Sequence, residues 1–501
     1  MMSTTSEVVS SLISAPGMEY THTAHENNLP SGTANATETS MKTATDSLMQ
    51  GIPTGDRDVQ IERASNVVVD QGNRFQSREK GVQRQFAQIY YARLEMLKRS
   101  VKERALKEWG EDAPFVQSIL GLELNKKACI IGTIYKEMTM KPNILRDLEV
   151  DTFAAVPAPK DKLTDATDKL ILEDQAGRIN LIGKNLPIDD VVTGVVVACY
   201  GIENADGDFF VTSYCFADMA PQKMRELKPE PVDGDTYIGL VSGLNISPQN
   251  KNLFPVQMMA DYLTGNLGNE NENSVVSRVS HLMVLGNSMG PMPKKSEIQA
   301  YVSDKNARNS SDDQHFALKE LDSIFSEITA NTPMIVSPGA HDPSNFSLPQ
   351  LPMHGALFPN ASRHTSWTSV SNPLDVNIAG IDILATSGQP LNDIYKYCNT
   401  TDRLSIMENT LRWRHIAPTA PDTLAVYPFQ GVDPFVMEST PHVYLAGNQP
   451  DFEERIVRGA DGQEVHVIAL PTFSVTPVLV LMNTRTLRCH PVYFSGPDDD
   501  I

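Results

Sequence analysis

The sequence predicts a mixed α/β and β protein: a small antiparallel barrel, then a larger α/β sandwich, with an unstructured stretch ahead of both. Three observations carry that prediction. Between about residues 125 and 235 the apolar residues come in short, β-branched, partly alternating runs set apart by Asp and Gly turns, the pattern of half-buried antiparallel strands. After Asp235 strand patterns alternate with helical ones, the mark of βαβ units. Before residue 80, Ser, Thr, Asn, Gly and Asp dominate, with few aromatics and no sustained period. Such a composition buries too little apolar surface to offset chain entropy.

A chain of 501 residues exceeds the usual single domain and has ample length for a buried core. The boundaries read as a disordered tail over 1–80, an N-terminal helical segment over 81–124, a barrel domain over 125–235 and an α/β domain over 236–496. The tail is either a regulated segment carrying phosphorylation sites or a plain extension, and composition does not separate the two. In the second segment Phe86, Tyr90, Leu94, Leu97, Val101 and Ala105 recur every three or four residues, which predicts an amphipathic helix ending near Trp109-Gly110. Arg93, Lys98, Lys102 and Lys107 fall between them and read as its solvated face.

The barrel strands are ACIIGTIYKEM, KLILEDQ, RINLIG, VVTGVVVACYGIE and DFFVTSYCFA. Five such strands suggest an OB-fold, which can bind single-stranded nucleic acid by stacking bases on aromatics. Tyr200, Phe209, Phe210, Tyr214 and Phe216 are available for stacking, but Glu203, Asp206, Asp208 and Asp218 share the stretch and favour core or protein-contact roles. In the α/β domain, YIGLVSGLNIS, VSHLMVLGN and TPMIVSPGAHDP read as strands, and NLFPVQMMADYLTG and FALKELDSIFSEITA as helices. GIDILATSGQ, TPHVYLAGNQ, EVHVIAL and VLVLMN are assigned to a second sheet, and 291–313 to a surface insertion.

Composition also excludes. No apolar run reaches the roughly 20 residues that span a bilayer, and the start lacks a signal-peptide pattern, so an intracellular protein is expected. The five cysteines are widely spaced, with neither a CxxC pair nor a zinc-type cluster; they read as buried thiols. A net charge of −20 opposes a nucleic-acid binder acting by charge alone, because that affinity comes from neutralised phosphates.

In open α/β folds the ligand-carrying loops follow the carboxyl ends of the strands, and there the sequence is informative. Dinuclear metallophosphoesterases carry DxH, GD, GNH[DE], a lone His and GHxH in that order. The corresponding positions here are Ser242-Gly243-Leu244, Gly286-Asn287, Gly339-Ala340-His341-Asp342 and Gly447-Asn448-Gln449-Pro450; the lone His has no assigned counterpart. Ser242, Leu244, Asn287, Asn448 and Pro450 thus stand where carboxylate or imidazole ligands belong, and Ala340 where an asparagine ligand belongs. Neutral Ser and Asn hold such cations poorly, and Leu and Pro have no side-chain donor. His341 and Asp342 remain, as a residual active loop or as a loop histidine hydrogen-bonded near Asp342. Ser242 lacks the GxSxG setting of a serine nucleophile. No catalytic residue, bound metal or cofactor is expected.

Those loops behind a barrel, with PGAHDPSNFSLPQLPMH, ATSGQPLNDI, LRWRHIAPTAPDTLAVYPF, DPFVMESTPHVYLAGN and FAQIYYARLEMLKRSVKERALKEWG, resemble the small (B) subunits of eukaryotic replicative DNA polymerases, of the delta type. The resemblance covers about residues 80 to 496. It implies an OB-fold barrel packed on an inactive calcineurin-like metallophosphoesterase α/β sandwich. It also implies a nuclear, non-catalytic scaffold for DNA replication and repair synthesis. Its implied partners are the polymerase delta catalytic subunit, through a C-terminal cysteine-rich region, and a third subunit that helps bind the sliding clamp. DNA would be held weakly or indirectly, and no membrane is involved. The rival readings are an active metal-dependent phosphoesterase or nuclease, and a single-stranded DNA-binding OB module.

Overall fold

The structure, a computed structural model, describes Arg63 and residues 69–75, 85–111, 113–141, 160–225, 234–248, 250, 253–291 and 310–494. In chain order its elements begin with strand β1 (Val69–Gln71) and helix α1 (Ala87–Trp109). Five strands follow: β2 (Lys127–Glu137), β3 (Lys169–Glu173), β4 (Arg178–Ile182), β5 (Val196–Glu203) and β6 (Phe209–Cys215). Then come β7 (Tyr237–Val241), α2 (Phe254–Thr264), α3 (Glu270–Val276), β8 (Val279–Leu285), α4 (Ser310–Thr329), β9 (Met334–Ser337), β10 (Trp367–Ser369), β11 (Leu374–Ile378) and β12 (Ile381–Thr386). The chain continues through α5 (Gln389–Tyr397), α6 (Arg403–Arg412), β13 (Val443–Gln449), β14 (Glu453–Arg458), β15 (Glu464–Pro471), β16 (Val478–Asn483) and β17 (Cys489–Tyr493).

Strands β2 to β6 close into a barrel in the order β2-β3-β4-β6-β5. Alternation decides which side chains fill it: β4 reads exposed, buried, exposed, buried, exposed, with Ile179 and Leu181 inside. Two six-stranded sheets form the rest. Sheet I runs β10-β9-β8-β7-β16-β17 and sheet II runs β1-β11-β12-β13-β15-β14. They pack face to face through Leu240, Met283, Ile335 and Val480 against Val376, Ile383, Leu445 and Ile468. Strands covered on both faces cannot alternate, and all six residues of β16 are buried. Helices α2 and α4 cover the outer face of sheet I. The outer face of sheet II joins α5, α6 and the barrel interior in one continuous apolar cluster.

Local chemistry sets the helix ends. Helix α2 starts with a proline in its first turn and stops at Gly265, whose φ of 83° few other residues tolerate. Helix α3 is held by a capping box between Asn269 and Glu272, and α6 by Asp402 accepting the Leu404 N–H at 2.9 Å.

Four sequence expectations need correction. The tail assigned to 1–80 is not wholly outside the body: β1 pairs antiparallel with β11, and Phe75 is 1 % exposed in the main core. A three-residue edge strand is too short to give a legible period. Apart from Arg63 and residues 69–75, the tail lies outside the described residues, as does 292–309 of the predicted insertion. The VLVLMN strand, β16, belongs to sheet I and pairs antiparallel with β7, because an all-apolar strand satisfies either sheet. Helix α4 begins at Ser310, six residues before the apolar pattern does. The fourth concerns Arg93, which lies on the buried stripe of α1 with Ile89, Leu94, Leu97 and Val101.

Candidate functional site

The parallel strands β7, β8 and β9 of sheet I, and β12 and β13 of sheet II, bring their carboxyl ends together. The loops singled out in the sequence do meet there. The Gly243 N–H donates to the Gly286 carbonyl at 2.9 Å, and the His341 N–H to Asn287 Oδ1 at 3.2 Å. Ser242, buried, donates its Oγ–H to the Pro471 carbonyl and accepts the Asn448 N–H, both at 2.9 Å. Asn448 donates its amide to the carbonyls of Leu285 at 3.2 Å and Ser387 at 2.9 Å. Leu244 is buried in the core against the outer helices of sheet I, while Ala340 is exposed.

The loops touch closely. A Cβ on Gly339 would stand 2.3 Å from the Asn287 nitrogen, and one on Gly447 would stand 2.6 Å from the Leu285 carbonyl oxygen. Glycine is needed at both because backbone meets backbone. Asn245, Asn287 and Asn448 all take positive φ, between 48° and 55°, a conformation asparagine tolerates better than most residues.

Asp342 is buried and faces the interior of its loop. Its carboxylate accepts the N–H groups of Met289 at 2.8 Å, Gly339 at 2.8 Å and Ser288 at 3.2 Å. Burial pushes its carboxyl up to about 6, although those amides favour the charged form. The pairing of His341 with Asp342 considered from the sequence therefore gives way to backbone amides. His341 itself is exposed, with partial desolvation lowering its pKa.

Sequence reasoning missed the amide network beneath. The Nδ2 of Asn372, fully buried, lies 2.8 Å from Gln350 Oε1, 2.8 Å from Ser387 Oγ and 2.6 Å from Gln389 Oε1, sharing its two N–H donors among them. Gln350 in turn donates to the Gly339 carbonyl at 3.0 Å. One signal was available: Ser387-Gly388 follows β12 as Ser242-Gly243 follows β7.

A second polar cluster joins helix, barrel and sandwich. Arg93 donates through Nε to Asp433 Oδ2 at 2.8 Å, and through its other nitrogens to the carbonyls of Gly194 at 3.1 Å, Pro418 at 2.8 Å and Ala420 at 2.6 Å. His415 Nδ1 accepts the Ala417 N–H, so its proton sits on Nε2, 2.8 Å from the same Asp433 oxygen. Burial, with Arg93 adding to it, lowers the His415 pKa to about 4. Asp433 is depressed despite its burial, held down by His415 and Arg93. Gly194, at φ +93°, lets Pro418 approach; a Cβ there would stand 1.9 Å from the Pro418 oxygen.

The barrel aromatics are turned to protein contacts. Tyr200 stacks on Trp109 at 5.6 Å, Phe216 meets Tyr214 at 5.6 Å and Trp413 at 6.2 Å, and Phe209 is buried; Phe210 stays exposed. Two barrel-side lysines are likewise bound internally, Lys136 to the Tyr397 carbonyl at 2.9 Å and Lys162 to those of Tyr395, Cys398 and Thr400.

Comparison with known proteins follows this division. Residues 85–214, helix α1 with the barrel, match the family model of the DNA polymerase delta subunit OB-fold domain. Residues 238–454, with all four strand-end loops, match the family model of the DNA polymerase alpha/epsilon B-type subunits. The DNA polymerase delta small subunit of Oryza sativa is 37 % identical over 429 residues, 86 % of this chain and 96 % of the relative. That of Arabidopsis thaliana is 38 % identical over 412 residues, 82 % and 91 % of the two chains. The chain belongs to the DNA polymerase delta small-subunit family. The Saccharomyces cerevisiae small subunit, 31 % identical over 81 % of this chain and 89 % of its own, shows how far the likeness extends. As a delta small subunit the chain is a non-catalytic accessory subunit of a replicative DNA polymerase, and the two polar clusters are to be read in that light. No helix among the described residues is long and apolar enough to cross a membrane.

Proposed function

We propose that this chain works by protein contact, as the scaffold that joins the polymerase delta catalytic subunit, through a C-terminal cysteine-rich region, to a third subunit that helps engage the sliding clamp. It does so in the nucleus, in replication and repair synthesis, on a calcineurin-like sandwich without hydrolase chemistry. One observation carries the reading. At the strand ends where a dinuclear phosphoesterase holds two cations, Ser242, Asn287 and Asn448 are neutral and hydrogen-bonded to neighbouring loops. The one carboxylate in those loops among the described residues, Asp342, accepts three backbone amides. Two dications need several anionic or imidazole ligands, and these residues do not fit them. Without a metal-bound hydroxide, His341 has no nucleophile to assist.

The packing supports the scaffold reading too. The barrel and sandwich share one core, and Arg93 ties them with charge, so partners would meet a single rigid surface. The stacking of Tyr200 on Trp109 and the net charge of −20 weigh against a single-strand platform.

Permanent assemblies bury large apolar interfaces, often above roughly 2,000 Å², and resist salt because their drive is hydrophobic. The test is co-purification with the catalytic subunit at about 0.5 M salt, where screening acts over only a few Å. A retained complex, with single-stranded DNA bound no tighter than micromolar by the isolated chain at physiological salt, is the expected result. Dissociation at that salt, or sub-micromolar DNA binding, would put the single-strand-binding module first.

A further inference from the structure

Away from the strand-end loops, at the amino-terminal end of β15, three metal-ligand side chains of different chemistry converge. Glu454 on β14, His466 on β15 and Cys489 on β17 bring one donor atom each within 4.8 Å of the others. His466 Nε2 lies 2.9 Å from Glu454 Oε2. Nothing in the sequence joins them, since the nearest two are twelve residues apart and Cys489 comes from the other sheet. The fold makes the cluster: β14 and β15 end sheet II, β17 ends sheet I, and Cys489 lies in the core between the sheets with Ile468 and Met482. His466 and Cys489 are buried; Glu454 reaches solvent at 36 % side-chain exposure.

We infer that Glu454, His466 and Cys489 form a single-metal site for Zn²⁺ or a cation of similar preference, clamping the two sheet edges together. Mixed sulfur, nitrogen and oxygen donors are the set zinc takes, and three protein ligands plus water complete a tetrahedron. The partly exposed carboxylate leaves one side open for that water. A thiolate and a carboxylate together neutralise a dication beside a neutral imidazole, so the buried site carries no net charge. Bonds near 2.0–2.1 Å put tetrahedral N and O ligands about 3.3 Å apart, slightly wider than the present 2.9 Å; a zinc–sulfur bond near 2.3 Å puts sulfur about 3.6 Å from each, so the Cys489 sulfur, now within 4.8 Å of both, adjusts by up to about 1 Å. Without metal, burial and the adjacent Glu454 raise the thiol pKa and keep Cys489 protonated. Binding exchanges that S–H bond for a metal–sulfur bond and releases one proton to solvent, with no change of oxidation state. The other sulfur contact is weak, to the Leu487 carbonyl at 3.8 Å. This adds a metal where the sequence, lacking any zinc-type cysteine spacing, predicts none.

The experiment uses the isolated full-length chain, stripped with chelator and titrated with Co²⁺. The expected result is saturation at one equivalent, with a near-ultraviolet thiolate-to-cobalt band, intense tetrahedral d–d bands and displacement by Zn²⁺. Cys489→Ser should lose the near-ultraviolet band, and Glu454→Gln should weaken binding at least about tenfold, the scale at which ligand-shell changes act. Zn²⁺ should raise the melting temperature of the stripped wild type but not of Cys489→Ser. Glu454→Gln, altered at a partly exposed position, serves if Cys489→Ser does not fold. His341→Ala should titrate as wild type, which separates this site from the strand-end loops. A wild type without the sulfur band, a band that survives Cys489→Ser, or affinity unchanged in Glu454→Gln overturns the proposal.

Discussion

The Arg93–Asp433–His415 junction and the strand-end loops are both dense, buried polar clusters, yet they differ in where charge resides. At the junction a guanidinium and a carboxylate are fully buried and matched, with three backbone carbonyls taking further Arg93 donors. At the strand ends the polar groups are mostly neutral amides, hydroxyls and peptide groups, and the carboxylate of Asp342 faces backbone N–H groups. Asn245 Oδ1, Ser288 Oγ and Asn448 Oδ1 make no hydrogen bond among the described residues. Paired charge holds parts together, because separating it would strand an ion in low dielectric. Catalysis needs charge left available for a substrate or metal. By that criterion the junction is structural, and the neutral groups at the strand ends are what the proposal of a site without hydrolase chemistry rests on.

The comparison breaks first at Asp433. Asp433→Ala leaves Arg93 buried without its counter-ion, and urea denaturation should show a loss of about 3–5 kcal/mol. A loss below about 1 kcal/mol would mean that the joint is held by apolar packing instead.

Acid titration sharpens the contrast, because the two clusters respond with opposite sign. His415 has a folded pKa of about 4 against an ordinary 6.5, so between those values only the unfolded chain binds its proton, and stability falls as pH falls. Asp342 has a folded pKa of about 6 against 3.8, so in that window only the folded chain is protonated, and stability rises as pH falls. In the wild type the two slopes oppose each other between about pH 4 and 6. His415→Gln should leave the Asp342 slope, a gain of up to about 1.4 kcal/mol per unit of acidification. Asp342→Asn should leave the His415 slope, a comparable loss. Denaturation midpoints of the three proteins across that range decide it, read as slopes because either substitution also shifts the absolute level. Parallel curves would show that neither group titrates as its surroundings imply.

The smallest effects belong to the strand-end loops. Ser242→Ala removes two hydrogen bonds and leaves the Asn448 N–H without an acceptor, which should cost about 1–3 kcal/mol. His341→Ala, at an exposed position, should change stability by less than about 0.5 kcal/mol and leave polymerase stimulation by the assembled complex intact. A selective loss of stimulation in His341→Ala would restore a chemical role to that loop.

Much of this protein was written in local pattern. The barrel strands, α1 and the strand–loop succession from Tyr237 to Asp342 were legible because side-chain periods of 2 and 3.6 report which face a residue presents. The loop sequences at 242–244, 286–287, 339–342 and 447–450 were legible as a group because strand ends in such folds converge. That they touch, and that Asp342 accepts amides from the β8 loop, was not.

What the sequence by itself determined, then, is element type, the order of barrel and sandwich, and the residue types at the strand ends. These follow from periodicity and identity, which are local. Tertiary structure alone decided that β16 crosses to sheet I, that β1 and Phe75 join the body, that Arg93 turns inward, and that Cys489 meets His466 and Glu454. In each case the determinant is a partner far along the chain: β7 for β16, Asp433 for Arg93, the edge of the opposite sheet for Cys489. An apolar strand fits either sheet, and an arginine between apolar residues fits solvent as well as a buried carboxylate. Only the assembled low-dielectric interior, where an unpaired charge or open strand edge is costly, selects between them.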